Sequence, residues 1–269
     1  SRYRAITQPP WVIRGQLDGD FSGSTVSNDA SYSAALLDVE SSLAVGLEVD
    51  LHADVTTPLL TWENRFYGQY RAQWAPSSEP GSAGDFTEAA DQLQFRSLAS
   101  FRGLRSTPGQ VYVPDLYVEA FVESEVTQPQ SRSYHWLLVR PTLGARFPLV
   151  SELDVKLQIG LQIQALDPST ETELGAGASI LLRPWTVIEA DERSLTLEGA
   201  VDFFAVDLFD ENRWQLRGQL DLALDVAGPL AVTFGAVLYT HQEGNQNAAV
   251  ALTATAGLRL AALTRTIGP

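Results

Sequence analysis

His52, His135 and His241 are the three histidines in a chain of 269 residues that contains neither cysteine nor methionine. Without cysteine there is no thiolate nucleophile, no thiolate metal site and no disulfide framework. A serine with a histidine base is the remaining route to nucleophilic chemistry, and Ser97 or Ser133 with His135 is the pair on offer. Neither serine sits in a recognisable motif, the histidines are scattered, and no Gly-rich phosphate loop or EF-hand spacing occurs. The expectation is therefore no catalysis, no metal centre and no cofactor.

The residues better placed to do physical work are charges set among apolar neighbours: Arg14, Glu48, Arg65, Arg96, Glu119, Arg140, Lys156, Asp202 and Arg217. Their signs are mixed. If they share one wall, Arg14 should pair with Glu48, Glu48 with Arg65, Glu119 with Arg96 or Arg140, and Asp202 with Arg217. Such a set either lines a narrow aqueous pore and sets its selectivity or knits an interior shut. Which of the two applies depends on the elements that carry them.

Parity identifies those elements, because successive side chains on a strand point to opposite faces. Over residues 58–74 the even set includes Leu60, Trp62, Phe66, Tyr70 and Trp74, whereas the odd set includes Glu63, Arg65, Gln69, Arg71 and Gln73. Residues 152–164 repeat the pattern, with Leu153, Val155, Leu157, Ile159, Leu161 and Ile163 alternating with Glu152, Asp154, Lys156, Gln158 and Gln162. No helical stripe competes. The same reading gives about twelve segments, near 11–21, 43–55, 58–74, 86–103, 110–124, 134–147, 152–166, 172–183, 194–208, 213–226, 229–241 and 248–263, each long enough for a tilted strand to cross a bilayer. The central positions of the apolar faces carry no Asp, Glu, Lys or Arg. A soluble β-sandwich, the competing fold, rarely keeps every strand so clean.

Composition agrees with this and removes other classes. The net charge of -15 argues against nucleic acid, whose binding begins with Lys and Arg on phosphates, and Lys156 is the single lysine. Mean hydropathy is -0.05 and no apolar run reaches the length of a membrane helix, so only the period reveals a membrane face. Ser1, with no basic-then-apolar opening stretch, reads as the start of a mature chain after removal of a targeting segment. The links alternate in length. Those near 22–42, 75–85, 125–133, 167–171, 209–212 and 242–247 are long or polar, and those near 56–57, 104–109, 148–151 and 227–228 are shorter. Residues 184–193 are the exception, a long link on the short-turn side that is expected to hold a small extra element.

With these features the chain resembles the bacterial outer-membrane β-barrels, in particular the twelve-stranded porin-like kind, over nearly its full length. In such barrels periplasmic turns are short and outer loops long. Thr255, Gly257, Leu260 and Ala262 look like a loose version of the family's assembly signal in the last strand, although residues 264–269 run past it without a terminal aromatic. The resemblance implies a closed antiparallel all-β barrel as one domain over residues 1–269, in the outer membrane, with both terminal tails periplasmic. Trp11, Trp62, Tyr70, Trp74 and Trp214, with Tyr112 and Phe147, then read as aromatic girdles at the membrane interfaces.

Charge is also sorted by end. Asp29, Asp38, Glu40, Glu79, Asp85, Glu88, Asp91, Glu123, Glu125, Asp167, Glu171, Glu173, Asp210, Glu211 and Glu243 fall toward the outer loops, and Arg102, Arg105, Arg146, Arg183, Arg259 and Arg265 toward the other rim. An acidic mouth concentrates cations. The expected function is a passive channel for small polar or cationic solutes. Its alternative is a structural barrel with a plugged lumen that anchors a larger surface complex. The expected partners are outer-membrane lipid and lipopolysaccharide, bridged in part by divalent cations, and a protein docked at the outer loops or at 184–193.

Overall fold

The computed structural model describes residues 11–27, 42–75, 85–102, 104, 113–125, 134–166, 172–190, 193–206, 213–242, 244 and 247–267. The alternating segments become twelve strands: β1 (Trp11–Ser27), β2 (Ser42–Thr56), β3 (Leu60–Ala75), β4 (Asp85–Phe101), β5 (Asp115–Ser124), β6 (Leu137–Pro148), β7 (Leu153–Gln164), β8 (Glu173–Ala190), β9 (Arg193–Val206), β10 (Arg213–Ala227), β11 (Leu230–Gln242) and β12 (Ala249–Ile267). Each pairs antiparallel with its sequence neighbours, and β1 pairs with β12, so the sheet closes on itself and leaves no edge. This closure excludes the sandwich.

The distribution of side chains is that of a soluble protein turned inside out. Leu47, Phe66, Val118, Leu143, Ile159, Phe234 and Leu258 are exposed on the outer wall, while Glu119, Arg140, Arg146, Asp154, Lys156 and Gln158 are buried within. Exposing so much apolar surface to water would be unstable, and lipid is the solvent that suits it. The fold is a transmembrane barrel.

Four boundaries depart from the sequence reading. Strand β1 runs on to Ser27 because its ladder with β12 continues through Ser22–Ser27, where apolar alternation is weak, and β12 runs on to Ile267 because its last residues pair with Trp11, Val12 and Ile13 at the start of β1. Residues 184–193 are not a loop with a separate element. Strand β8 continues to Ala190 and pairs with β9 as far as Ala190↔Arg193, while its pairing with β7 ends at Leu182. The result is a two-stranded ribbon. A register shift between Leu182 and Trp185 falls at Pro184, a second follows between Thr186 and Ile188, and together they break the parity that marks a strand in the sequence. The link between β4 and β5 is longer than expected, 102–114, because β5 begins only at Asp115.

The remaining turns at the end that carries the chain termini are tight. Thr57 Oγ1 accepts from the backbone N–H groups of Leu59 and Leu60 at 3.2 and 2.8 Å, which closes the β2–β3 hairpin. Gly228 takes a left-handed φ of 54° to close β10 on β11. At the opposite end the links span 28–41, 76–84, 125–136, 165–172, 207–212 and 243–248.

Candidate functional site: the charged interior

Inward parity brings every expected lumen charge to the inner wall, but the partners differ from those anticipated. Arg14 bonds Asp54 at 3.0 Å rather than Glu48. Arg65 forks onto Asp50, with Nε at 2.9 Å from Oδ1 and a second nitrogen at 2.7 Å from Oδ2. Glu48 is taken by Arg71 at 2.6 Å and by the Gln69 amide. The cause is register: Arg65 stands opposite His52, whereas Glu48 stands opposite Gln69, so Glu48 and Arg65 are offset by four residues, about 13 Å along the strand. Asp202 and Arg217 do face each other across β9 and β10, yet Asp202 bonds Arg140 at 3.0 Å and Arg217 reaches Glu123 at 3.8 Å.

Some contacts cross the interior. Strands β5 and β10, joined by Glu123 and Arg217, lie five steps apart around the barrel, as do β3 and β8. Nearer the termini, Glu63 on β3 receives Arg146 of β6 at 3.1 Å and Arg183 of β8 at 3.3 Å, and both arginines also reach Asp154, at 2.7 and 2.9 Å. On the adjoining wall Arg259 binds Asp18 at 3.0 Å and Glu198 at 2.8 Å. None of Asp18, Asp50, Glu63, Arg71, Asp154 or Glu198 was in the expected ring. All share its inward parity, which is the signal that finds them once attention is not confined to mid-height.

The expected pair of Glu119 and Arg96 is present at 3.5 Å, and Lys156 Nζ donates to the other carboxylate oxygen at 2.8 Å. Arg96 stands directly opposite Arg65 in the β3–β4 register. Two like charges side by side are unfavourable, and Asp50 and Glu119 on the flanking strands offset them. Arg140 lies between two rings, 5.1 Å from the centroid of Phe121 and 4.5 Å from that of Phe204. Phe204 fits inside because β8 presents glycine there. A Cβ on Gly175 would stand 2.5 Å from the Phe204 ring, and one on Gly177 would stand 2.3 Å from the Phe203 carbonyl oxygen.

Two hollows remain. The larger, about 850 Å³, occupies the half toward the termini and is lined by Arg14, Asp18, Asp54, Glu63, Asp221 and Arg259 among others. The smaller, about 120 Å³, lies toward the opposite end beside Arg140, Asp202 and Arg217. They share Arg65, Tyr67, Arg96, Lys156, Leu181, Ala200 and Gln219, so these residues form the neck. Its open charge is basic: the side chains of Arg65 and Arg96 are 36% and 31% exposed against 7% and 2% for Asp50 and Glu119.

The aromatic residues fall at two levels. Trp11 and Trp62 meet edge to face at 5.5 Å near the termini, and Trp214 packs 6.1 Å from Phe203 toward the other end, where Tyr70 is exposed. For Trp74 only the strand position is described. Among the histidines, His52 Nε2 lies 3.1 Å from Asp50, and His135 is exposed. Ser97 donates to Asn64 at 2.8 Å and accepts from Trp62 Nε1 at 3.0 Å. Ser133, Tyr112, Arg105 and the acidic residues Asp29, Asp38, Glu40, Glu79, Asp167, Glu171, Asp210, Glu211 and Glu243 lie outside the described residues. Among the described residues no three His, Asp or Glu side chains are grouped to hold a metal.

Fold and interior together define the class: a closed, twelve-stranded, antiparallel transmembrane barrel with a charged interior. No protein-family model matches the sequence, and no curated protein matches it. Similar solved structures include an outer membrane channel from Pseudomonas putida F1, at 10% identity, TM-score 0.42, over 96% of this chain and 98% of that one. The KdgM porin is similar at 8% identity and TM-score 0.39 over 91% and 99% of the two chains. Outer membrane phospholipase A from Escherichia coli is similar at 12% identity and TM-score 0.41 over 95% and 98%. Such distant likeness, shared by a channel, a porin and a phospholipase, assigns no residue a role.

Proposed function

We propose that this protein is a non-enzymatic, passive channel of a bacterial outer membrane, admitting small polar solutes, with its termini on the periplasmic side. The observation that carries the reading is that the two hollows, one toward each end of the barrel, meet at shared lining residues that include Arg65, Tyr67, Arg96 and Lys156. A charged, hydrated lumen with walls of fixed side chains is what a selective pore requires. The orientation follows from link length, since barrels of this kind keep their long loops outside. Lipid and lipopolysaccharide cover the outer wall in this reading. Asp91, Glu123, Glu125 and Glu173 lie toward the long-loop end and concentrate cations there, while the basic neck opposes their onward passage.

Conductance in a planar bilayer tests the channel. Arg65→Ala with Arg96→Ala should raise single-channel current and shift the reversal potential under a salt gradient toward cation preference. The variant is built so that each acid keeps a polar partner: Asp50 keeps His52 Nε2 at 3.1 Å, and Glu119 keeps Lys156. A wild type and a double variant that are both silent at full folding yield would end the channel reading.

A structural barrel is the second reading, favoured by two observations. Ion pairs bridge nearly opposite walls, and the β8–β9 ribbon exposes Trp185, Val187 and Ile188 beyond the pairing with β7. In this reading the lumen is sealed and the ribbon or the long loops dock a protein partner, so the silent bilayer is its expected result.

A further inference from the structure

The larger hollow carries more acid than base. Ten carboxylates line it against seven Arg and Lys side chains, and eight of the ten have a basic group within ion-pair distance. Among the described residues, Glu152 at the β6–β7 turn and Asp221 on β10 have none. Arg259, on β12, is held by Asp18 and Glu198. Asp221 is half-buried; its Oδ2 accepts from the Gln219 amide at 2.7 Å, and its Oδ1 has no hydrogen-bond partner among the described residues. Register sets Asp221 and Thr255 on either side of Gly235, one across the β10–β11 ladder and the other across the β11–β12 ladder. Glycine leaves a gap between them. A Cβ on Gly235 would stand 2.6 Å from Asp221 Oδ1 and 2.5 Å from Thr255 Oγ1, so the two oxygens flank a single point. The Thr255 hydroxyl likewise has no partner among the described residues, and neither oxygen is sealed from the hollow that both residues line.

We propose that the gap over Gly235 is a binding site for the ammonium group of a small primary amine, with Asp221 as its counter-ion and Thr255 as a second acceptor. A nitrogen placed slightly inward of the Gly235 Cβ position lies within ordinary hydrogen-bond distance of both oxygens, about 2.7–3.2 Å. A primary ammonium has three donors and can serve both acceptors at once, and a hydrogen bond between two ionised groups is stronger than a neutral one. The surplus of carboxylates around the hollow raises the local concentration of any cation, while the gap selects one that carries N–H groups. The volume of about 850 Å³ leaves room for the amine's carbon body. The inference goes beyond the channel reading and does not require it. Thr56 and Ser151, at the β2–β3 and β6–β7 turns, line the same hollow, which therefore reaches the rim at the end that carries the termini.

Titration calorimetry on the folded protein in detergent tests the site, with benzylammonium as probe and benzyltrimethylammonium, which has the same charge and no N–H donor, as the comparison. Saturable benzylammonium binding, more than tenfold tighter than that of the trimethyl compound, is expected. Asp221→Asn keeps the shape and removes the charge, and should weaken binding more than tenfold; Thr255→Val should weaken it several-fold. Gly235→Ala leaves both acceptors in place and fills the gap between them, so it should weaken binding as much as Asp221→Asn. The oxygens it crowds are the ends of side chains that can turn away, and the barrel should still close. Folding of each variant is read independently from its faster migration in unboiled gels. Equal binding of the two probes would mean diffuse attraction by the acidic lining and would overturn the site. No saturable binding by the wild type, or unchanged affinity in folded Asp221→Asn, would overturn it too. Bilayer current separates this result from the channel reading: saturable binding by an electrically silent barrel retains the site and removes the channel, and conductance without saturable binding does the reverse.

Discussion

Glu119 holds two cations at once, Lys156 at 2.8 Å and Arg96 at 3.5 Å, in a part of the barrel shielded from bulk water. Taking charges out of water is costly, and the cost is repaid only while both signs are present. Glu119→Gln should therefore destabilise the barrel by about 3–5 kcal/mol, the usual effect of orphaning one member of a buried pair. Glu119→Gln combined with Lys156→Gln should recover much of that loss, because the more deeply buried of the two stranded cations is gone and the Arg96 that remains is partly exposed. Urea unfolding from lipid vesicles, read as a double-mutant cycle, measures both. Additive losses in the double variant would mean that the two side chains are not energetically coupled. The same logic governs Arg146 and Arg183, which converge on Glu63 and Asp154 from different strands.

A strand holds such residues in place by keeping its two faces in different solvents, so a charge has opposite consequences on adjacent parities. Ile159 is exposed on the outer face of β7. Arginine there would sit in hydrocarbon and should cost about 2–4 kcal/mol if the position is at the midplane. Thr255 on β12 points inward and lines the larger hollow. The Cβ position of Gly235 is 2.5 Å from Thr255 Oγ1 and 2.6 Å from Asp221 Oδ1, so arginine at 255 would find space and a carboxylate. Assembly yield into vesicles should fall for Ile159→Arg and hold for Thr255→Arg; equal loss at both positions would mean that the faces are misassigned. The β8–β9 ribbon marks where the rule of parity ends. Past Leu182 only one neighbouring ladder remains, and the shifts about Pro184 scramble which side chains face which way.

The whole molecule is closed by the β1–β12 ladder, which runs from Trp11↔Ile267 to Ser27↔Val250 with one shift between Ile13 and Gly15. Closure joins every strand to two neighbours, so the barrel has no frayed edge from which detergent can begin to unzip it. The folded protein should therefore need detergent for solubility, and it should migrate faster in SDS gels unboiled than boiled. A monomer that stays soluble without detergent would contradict the membrane assignment. Because closure fixes the shear between strands, it also decides which heights around the ring coincide. That is how Glu63 and Arg183 come together from nearly opposite walls.

The sequence by itself determined the period and hence the architecture. An alternation of two is a local property: Leu153 to Ile163 against Asp154 to Gln164 can be read without knowing any neighbour, and it separates wall from lumen for each residue. Link lengths and the uncharged outer faces are local too, which is why the strand count and the inward set were legible. Partner choice was not. Parity alone pairs Glu48 with Arg65, but strand stagger sets them four residues apart and gives Glu48 to Arg71. The course of residues 184–190 was hidden as well, since pairing with β9, not apolar alternation, makes them a strand. The two hollows, the neck and the gap over Gly235 between Asp221 and Thr255 were decided only by the tertiary structure. They arise from the closed sheet's stagger, which brings into contact residues as far apart in sequence as Glu63 and Arg183, and no local pattern records that stagger.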